Sequence, residues 1–241
     1  MQFTHHITTI SLAFQTEIDG VRYYQTPQGK LYPSITTILS KTSDMSGLEE
    51  WRERVGNDVA EQIMKKSQIH GTMTHKLCEN YLNNKESEGD FLDIPKNHFK
   101  KLKPYLHKMN NIRGIELPLY SDEFEIAGTC DCIAEYNGDL SIIDFKTSRS
   151  RLMEHYDKVQ KYFMQATAYS LMWKERTGTE IDQIVIIGSE ETGDIAEFIK
   201  IPFDFKEALI EKIKQFRESE INNQQIVDSK LGLIKSKFTH K

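Results

Sequence analysis

Hydrophobic and polar positions alternate with the period of a β-strand on both sides of Asn137 and Gly138. The flanking residues, between 131 and 146, are largely β-branched, apolar or aromatic. Asn-Gly is the preferred filling of a two-residue type I′ turn, so the pattern predicts a tight antiparallel hairpin. Apolar side chains occur on both faces of this hairpin, which indicates a central position in a sheet that is covered on both sides.

The remaining periodicity predicts an α/β fold in which a mixed central sheet is flanked by helices and preceded by an N-terminal helical lobe. Cap and turn residues set the approximate boundaries, with Ser34 as the N-cap of the first helix. The last two strands are expected to pair antiparallel. We predict a hairpin over residues 12–25, helices over 34–40, 47–66, 70–83, 153–175 and 205–221, and further strands over 115–119, 124–127, 181–189 and 196–202.

Length and composition limit the class of protein. The chain has 241 residues and is 38% hydrophobic, which is enough for one sizeable core. No stretch approaches the ~20 consecutive apolar residues of a membrane span, so we predict a soluble protein with no membrane partner. The N-terminus has neither the basic start of a signal peptide nor the arginine-rich character of a transit peptide. We expect a cytoplasmic monomer, in a bacterium or a phage-infected cell.

The predicted hairpin brings charged residues together. Tyr136 faces Asp139 next to the turn, and the same register places Asp131 opposite Asp144. Opposed side chains have Cβ atoms about 4.5–5.5 Å apart, where two carboxylates destabilise a sheet unless a cation neutralises them. Lys146 emerges on the face of Asp144, because side chains repeat every second residue. The alternative is an exposed hairpin with solvated charges, which the neighbouring apolar residues disfavour.

Oxygen ligands of this kind favour Mg²⁺ or Mn²⁺, which bind through one or two carboxylates together with phosphate oxygens. A divalent metal beside an ammonium group suits the hydrolysis of a phosphodiester bond. The hairpin therefore predicts a metal-dependent hydrolase in which Lys146 holds the attacking hydroxide or a phosphate oxygen.

These motifs together resemble the RecB-like branch of the PD-(D/E)XK nuclease superfamily. They are Asp131, the run Asp144-Phe145-Lys146, the Gly-Thr-x-x-His frame that ends at His75, and Gln165 with Tyr169. Within that branch, the stretches 32–39, 48–52 and 128–148 are similar to the group of the mitochondrial genome maintenance exonuclease and its phage and bacterial relatives. The resemblance extends over about residues 33–188 and implies a restriction-endonuclease-like core.

The resemblance implies a role for each matching residue. His75, Asp131, Asp144 and the backbone carbonyl of Phe145 would be metal ligands, and Lys146 would be the catalytic lysine. Mg²⁺ or Mn²⁺ is the implied cofactor.

Three more residues enter through the same resemblance. Gln165 and Tyr169 share a helix face and would position the catalytic lysine and the DNA backbone. The alternative for this pair is a buried tyrosine with a capping glutamine. Glu116 stands where many members carry an assisting glutamate, so it is either a ligand or water-orienting group, or an ordinary glutamate of the strand surface.

The implied activity is a Mg²⁺- or Mn²⁺-dependent exonuclease that acts on single-stranded or flapped DNA with free ends. It would leave 5′-phosphates and serve DNA replication, recombination or repair. Two alternatives remain open, namely a catalytically silent DNA-binding subunit and a structure-specific endonuclease of the same fold. We expect one nuclease domain over residues 1–241, with a hairpin and helical lobe at 1–113, the catalytic core at 114–221 and a polar, basic tail at 222–241.

The three cysteines are too few for the four-cysteine iron–sulfur site of some RecB-like nucleases, so we expect no iron–sulfur cluster. Buried, reduced thiols are the expected state in a cytosolic protein. Because Cys130 and Cys132 flank Asp131, regular strand alternation places both thiols on the face opposite that aspartate.

Positive charge is concentrated in one segment although the net charge is −5. Residues 95–114 carry six basic side chains, two aromatic ones and no acidic one, which suits contact with DNA phosphates and bases. The alternative is a solvated helix face. Pro104 predicts a kink or two short helices. The predicted DNA-binding residues are Ser34, Lys100, Lys101, Lys103, Lys108 and Arg113.

Overall fold

The computed structural model describes residues 1–87 and 89–238 and contains two sheets. The small sheet is followed by four helices, and the large sheet carries two more. The first part consists of β1 (Phe14–Ile18), β2 (Val21–Gln25), β3 (Leu31–Pro33), α1 (Ile35–Lys41), α2 (Ser46–Val55), α3 (Asn57–Leu82) and α4 (Asp93–Leu106). The second part consists of β4 (Met109–Ser121), β5 (Ile126–Tyr136), β6 (Asp139–Ser148), α5 (Tyr156–Thr177), β7 (Gln183–Glu190), β8 (Ile195–Lys200) and α6 (Phe203–Phe238).

The large sheet has the strand order β4-β5-β6-β7-β8. β6 and β7 are parallel and are connected through α5, whereas the other neighbours are antiparallel, so the predicted mixed sheet is confirmed. One apolar cluster joins the sheet to α1, α5 and α6. A second cluster on the other face joins it to α3 and α4. Ile142 belongs to the first cluster and its neighbour Ile143 to the second, as expected of a strand that is covered on both sides.

The predicted central hairpin is formed by β5 and β6. Asn137 and Gly138 have φ angles of 54° and 97°, the left-handed conformation that a type I′ turn requires at both positions. Tyr136 pairs with Asp139 as predicted, and regular pairing continues outward as far as Cys132 and Ile143.

The boundaries of the early helices differ from the prediction. The break between α2 and α3 falls at Gly56, whose φ of 87° is accessible to glycine without steric cost, and not near residue 68. Gly71, at the predicted start of the next helix, lies inside α3 instead. A glycine inside a helix costs only about 1 kcal/mol, which the packing of α3 against the rest of the lobe offsets.

Three further predictions are corrected. Pro104 lies in the last turn of one continuous helix, where it removes a single backbone bond, so two short helices do not form. β4 begins at Met109, inside the basic segment and before residue 115, where the strand was predicted to begin. The backbone of α6 continues to Phe238 and therefore crosses the predicted boundary at residue 222, while Lys241 lies outside the described residues.

The two strand cysteines point to opposite sides of the sheet, which corrects the prediction of a shared face. Cys130 packs in the cluster with α5, and Cys132 packs in the cluster with α3 and α4. All three cysteines are buried and unpaired by disulfides. The alternation of β5 therefore breaks at Asp131. No helix within residues 1–87 and 89–238 combines the length and apolar character needed to cross a bilayer.

Candidate active site

Asp131 lies where β5 separates from β6. Continuing the hairpin register would pair Cys130 with Phe145, but the backbone N–H of Phe145 donates to Asp131 Oδ2 at 2.7 Å instead. The Asp131 side chain is 8% exposed, so this bond fixes a nearly buried carboxylate. A backbone donor favours the charged form of a carboxylate. The irregular pairing thus holds the Asp131 carboxylate in its anionic form at the edge of the hairpin.

Glu116 occupies the neighbouring position on β4. Ile115 pairs with Cys132 and Leu117 with Cys130, which places Glu116 across from Asp131. Its φ of 47° is left-handed, a conformation that costs a non-glycine residue about 1–3 kcal/mol and persists where the surroundings enforce it. β4 also changes face here, because Ile115 packs toward α3 and α4 whereas Leu117 packs toward α5. Both strands are distorted at the same level of the sheet.

His75 approaches these two carboxylates from α3. Its Nδ1 atom lies 3.5 Å from Asp131 Oδ1 and 3.8 Å from Glu116 Oε1. Burial lowers the pKa of His75, but the nearby Asp131 carboxylate more than compensates and raises the pKa to about 10. In the metal-free protein a protonated imidazole therefore links the two carboxylates.

His75, Glu116 and Asp131 each offer one ligand atom, and these atoms lie within 4.8 Å of one another. Two carboxylates and an imidazole suit a divalent cation such as Mn²⁺, and a cation would take the place of the His75 proton. The resemblance left Glu116 open between an assisting ligand and a surface glutamate. The left-handed backbone of Glu116 and its separation of 3.8 Å from His75 are compatible with a ligand, and the role of Glu116 stays a prediction.

Asp144 is fully buried beside Lys146, whose Nζ atom lies 2.6 Å from Asp144 Oδ2. Burial raises the pKa of Asp144 to about 6, although Lys146 acts in the opposite direction. Burial alone would lower the pKa of Lys146, but Asp144 and Asp131 raise it, so the ammonium form is retained.

Asp144 does not belong to the group formed by His75, Glu116 and Asp131 in the described part of the chain. Its carboxylate is directed to Lys146, and neither of its oxygens accepts a hydrogen bond of regular geometry from the described residues. Apart from its ion pair with Lys146, this buried carboxylate has no polar partner among the described residues, which is compatible with a cation as a further neighbour. The roles of Asp144 and the Phe145 carbonyl as ligands stay predictions.

Two side chains of α5 hold the lysine. Lys146 Nζ donates to Gln165 Oε1 at 3.2 Å, and Gln165 Nε2 donates to the Tyr169 hydroxyl at 2.9 Å. Tyr169 is 1% exposed and packs against Gly128, where any Cβ would lie 2.9 Å from the tyrosine ring. The hydrogen-bonded series from Lys146 through Gln165 to Tyr169 thus lies beside the hairpin, and its role in catalysis stays a prediction.

Tyr162 is a neighbour of Lys146 that the sequence analysis missed. The Lys146 Nζ atom lies 4.8 Å from the centre of its ring, within the range of a cation–π contact. Burial raises the pKa of the Tyr162 hydroxyl to about 12, so it stays protonated near neutral pH. The available signal was its position three residues before Gln165, on the same helix face.

One cavity of about 430 Å³ is bordered by most of these groups, although Asp144 and Tyr162 do not belong to its wall. Its wall includes residues of both sheets and of three helices. They are Gln15, Arg22, Tyr24, Thr36, Gly71, Thr72, His75, Lys76, Glu79, Glu116, Gly128, Thr129, Asp131, Lys146, Gln165 and Tyr169.

None of the predicted DNA-binding residues belongs to this wall. Lys101 Nζ donates to the backbone carbonyl of Glu190, and Lys108 Nζ donates to Glu197 Oε1, each at 2.8 Å. Lys103 lies over the ring of Tyr81. Contact of the segment with DNA stays a prediction for a surface away from the cavity.

Ser34 is 1% exposed and caps α1 as predicted, because its Oγ accepts a hydrogen bond from the Thr37 N–H at 3.0 Å. This hydroxyl is therefore occupied inside the protein, and Thr36 is the residue of this turn that borders the cavity. The position of Ser34 favours a structural role over direct contact with DNA.

Comparison with known proteins identifies the class. The family model of the PD-(D/E)XK nuclease superfamily matches residues 23–230, and the chain belongs to this superfamily. The mixed sheet with its central hairpin agrees with that assignment.

Particular relatives are the mitochondrial genome maintenance exonuclease 1 of Homo sapiens and of Mus musculus. The human protein is 27% identical over 130 residues, which are 50% of this chain and 38% of the relative. The mouse protein is 28% identical over 124 residues, or 48% of this chain and 37% of the relative. The matched region thus spans well under half of these relatives. A crystal structure of a protein from Eubacterium rectale is similar to 64% of this chain and 68% of the other chain, with 14% sequence identity and a TM-score of 0.44.

Replacing Glu116 with glutamine tests whether this residue is a ligand. We expect Glu116→Gln to weaken Mn²⁺ binding at least about 10-fold. In EDTA its free energy of unfolding should stay within about 1 kcal/mol of wild type, because the substitution keeps the shape of the side chain. Isothermal titration calorimetry with Mn²⁺ measures the affinity. Glu79→Gln is the matched control, since Glu79 borders the same cavity but pairs with Lys76. Equal affinities of the two variants would mean that Glu116 is a strand-surface residue.

Proposed function

We propose that this chain is a divalent-metal-dependent exonuclease that hydrolyses the phosphodiester bonds of single-stranded or flapped DNA and leaves 5′-phosphates. The observation that carries the proposal is the position of Lys146 on the wall of the cavity that also contains His75, Glu116 and Asp131. A catalytically silent DNA-binding subunit, the alternative, has no need of this combination. The matched relatives are exonucleases by name, which supports the same proposal.

The residues divide the chemistry between them. His75, Glu116 and Asp131 would hold Mg²⁺ or Mn²⁺, with Asp144 and the Phe145 carbonyl as further ligands. A metal bound by these residues would lower the pKa of a bound water and shield the negative charge of the phosphate. Lys146 keeps its proton and directs its ammonium group at a phosphate oxygen or at the attacking hydroxide.

The surroundings of Lys146 determine its direction. Lys146 is held by Asp144 on one side and by Gln165 on the other, so its Nζ atom is confined before substrate arrives. Tyr169 in turn orients the Gln165 amide. Such preorganised charge acts on the transition state without reorganisation at the moment of reaction.

The recessed position of the site agrees with a preference for single strands and free ends. The wall of the cavity combines residues of β1 and β2 with residues of α3 and α5, and its volume is about 430 Å³. An unpaired strand end needs less space beside these elements than an intact duplex does. We further propose a role in DNA replication, recombination or repair in a bacterial or phage-infected cytoplasm.

Cleavage of end-labelled single-stranded DNA in Mg²⁺ or Mn²⁺ tests the proposal. We expect wild type to release nucleotides and Asp131→Asn to be at least about 100-fold slower. Asp157→Asn is the control, because Asp157 is an exposed carboxylate in the first turn of α5. If wild type cleaves DNA in neither metal, the proposed enzyme activity is wrong and the catalytically silent DNA-binding subunit remains as the alternative.

The same assay separates the two kinds of nuclease. A closed circular single strand should resist, because it offers no end. Efficient cleavage of circular DNA would contradict the exonuclease proposal and support an endonuclease of the same fold. Substrates blocked at the 5′ or 3′ end then give the polarity of digestion.

A further inference from the structure

One positively charged side chain of the cavity wall has no carboxylate partner among the described residues. Three lysine or arginine side chains belong to its wall, namely Arg22, Lys76 and Lys146. Lys146 pairs with Asp144 at 2.6 Å, and Lys76 pairs with Glu79 at 2.8 Å. Within the described residues, no carboxylate lies within 4.0 Å of the Arg22 guanidinium. Arg22 is therefore the one of these three side chains that forms no ion pair with a carboxylate of the described residues.

Hydrogen bonds fix the strand that carries Arg22 on the wall of the cavity. Arg22 lies on β2, and its carbonyl accepts a hydrogen bond from the N–H of Ser34 at the start of α1. Tyr24, two residues on, belongs to the same strand face, and its hydroxyl lies 3.0 Å from Thr129 Oγ1. Thr129 precedes Asp131 by two residues on β5. This contact ties the small sheet to the strand that carries Asp131.

Neutral donors share the wall of the cavity with Arg22. Gln15 is paired with Tyr24 across the two strands, and Thr36 and Thr72 belong to the same wall. Amide and hydroxyl groups of this kind contact sugar and phosphate oxygens without reading a base. Glu17 is opposite Arg22 in the strand register, but it does not form an ion pair with Arg22 and does not belong to the wall.

We propose that Arg22 binds a backbone phosphate of the DNA strand next to the phosphate that is cleaved, so that the β1–β2 hairpin is the substrate-holding part of the site. A guanidinium forms two parallel, charge-assisted bonds to a phosphate, which makes it the best suited side chain for this contact. Arg22 is a binding residue in this scheme, because the ligand group and Lys146 lie on the other elements of the wall. The inference rests on the proposed function.

Steady-state cleavage of a short single-stranded oligonucleotide in Mn²⁺ provides the first test. Arg22→Gln should raise KM about tenfold while kcat changes less than twofold. Arg22→Lys should recover part of the loss, since it keeps the charge but not the paired geometry. Arg54→Gln is the matched control, as Arg54 is an exposed arginine of α2 outside the cavity. A KM for Arg22→Gln equal to that of Arg54→Gln would overturn the inference.

Binding in EDTA separates this inference from the proposed function. Fluorescence anisotropy with a labelled oligonucleotide should show weaker binding by Arg22→Gln and a salt dependence lower by about 0.7 in log–log slope. If wild type binds the oligonucleotide more tightly than Arg22→Gln but does not cleave it, the proposed nuclease activity is wrong while the Arg22 contact stands. If wild type cleaves DNA, and wild type and Arg22→Gln bind the oligonucleotide equally well, the proposed nuclease stands and the proposed Arg22 contact is wrong.

Oligonucleotides with one uncharged methylphosphonate linkage locate the contact. Wild type should lose affinity when the linkage beside the cleaved bond is neutral, and Arg22→Gln should show no further loss at that linkage. Equal losses for wild type and Arg22→Gln at every linkage would contradict the assignment. Circular dichroism and thermal melting of both Arg22 variants confirm that the fold is intact.

Discussion

Lys146→Met is expected to reduce DNA cleavage by about 10³-fold and to lower the free energy of unfolding at pH 8 by about 3 kcal/mol. The first effect follows from loss of the ammonium group in the cavity, and the second from Asp144, which is fully buried and would lose its cation at 2.6 Å. Methionine keeps most of the aliphatic stem beside Tyr162, so the loss of packing is small. Cleavage kinetics and urea denaturation measure the two effects.

The double variant Asp144→Asn/Lys146→Met isolates the buried charge. It should recover most of the lost stability, because neither charge remains, but it should stay inactive. Lys200→Met controls for removal of an exposed lysine, since Lys200 lies at the exposed end of β8. A double variant as unstable as Lys146→Met would mean that packing, rather than the unpaired carboxylate, causes the instability.

The hairpin is the part of the site that local sequence determines best. Asn137 and Gly138 accept the left-handed backbone that few other residues adopt, and this turn sets the register of the pairs as far as Cys132 and Ile143. Lys146 follows from that register by strand alternation alone. The prediction therefore reached the Lys146–Asp144 contact without knowledge of any distant residue.

The rest of the site depends on contacts that are remote in sequence. Regular alternation predicted one face for Cys130 and Cys132, but the strand turns at Asp131, where its carboxylate takes the Phe145 N–H. The partner strand β4 has a left-handed backbone at Glu116, and the sequence does not predict it because glutamate has no local preference for this conformation. Arg22 is more than ninety residues from Glu116 along the chain, and only the fold brings both to one cavity.

The helix boundaries failed for a different reason. Gly56 and Gly71 are equivalent as local signals, yet only Gly56 ends a helix. The cost of a glycine within a helix is small compared with the stabilisation from burying Leu77, Cys78 and Leu82 on the same helix. Tertiary packing decided between two similar signals, and the sequence alone does not report it.

The contribution of Asp144 to the stability of the metal-free protein should fall as pH rises from 4 to 6. Burial raises the pKa of Asp144 from 3.8 to about 6, so the folded state binds this proton more tightly than the unfolded state. The contribution is fully present below the unfolded pKa and is lost as pH rises through the folded one. At 1.36 kcal/mol per pKa unit the loss is about 3 kcal/mol. Urea denaturation in EDTA at pH 4 and pH 7 should show this loss in wild type relative to Asp144→Asn.

Mn²⁺ should reverse this loss, because a cation favours the ionised carboxylates that burial penalises. At 100 times the dissociation constant, binding stabilises by about 2.7 kcal/mol, which raises the melting temperature of a chain of this size by about 5–10 °C. The rise should be larger at pH 7.5 than at pH 5, since His75 and the carboxylates must lose protons to bind metal. Asp131→Asn should abolish the rise, whereas Asp139→Asn, at the exposed turn, should keep it. An equal rise in both variants would put the metal elsewhere than beside Asp131.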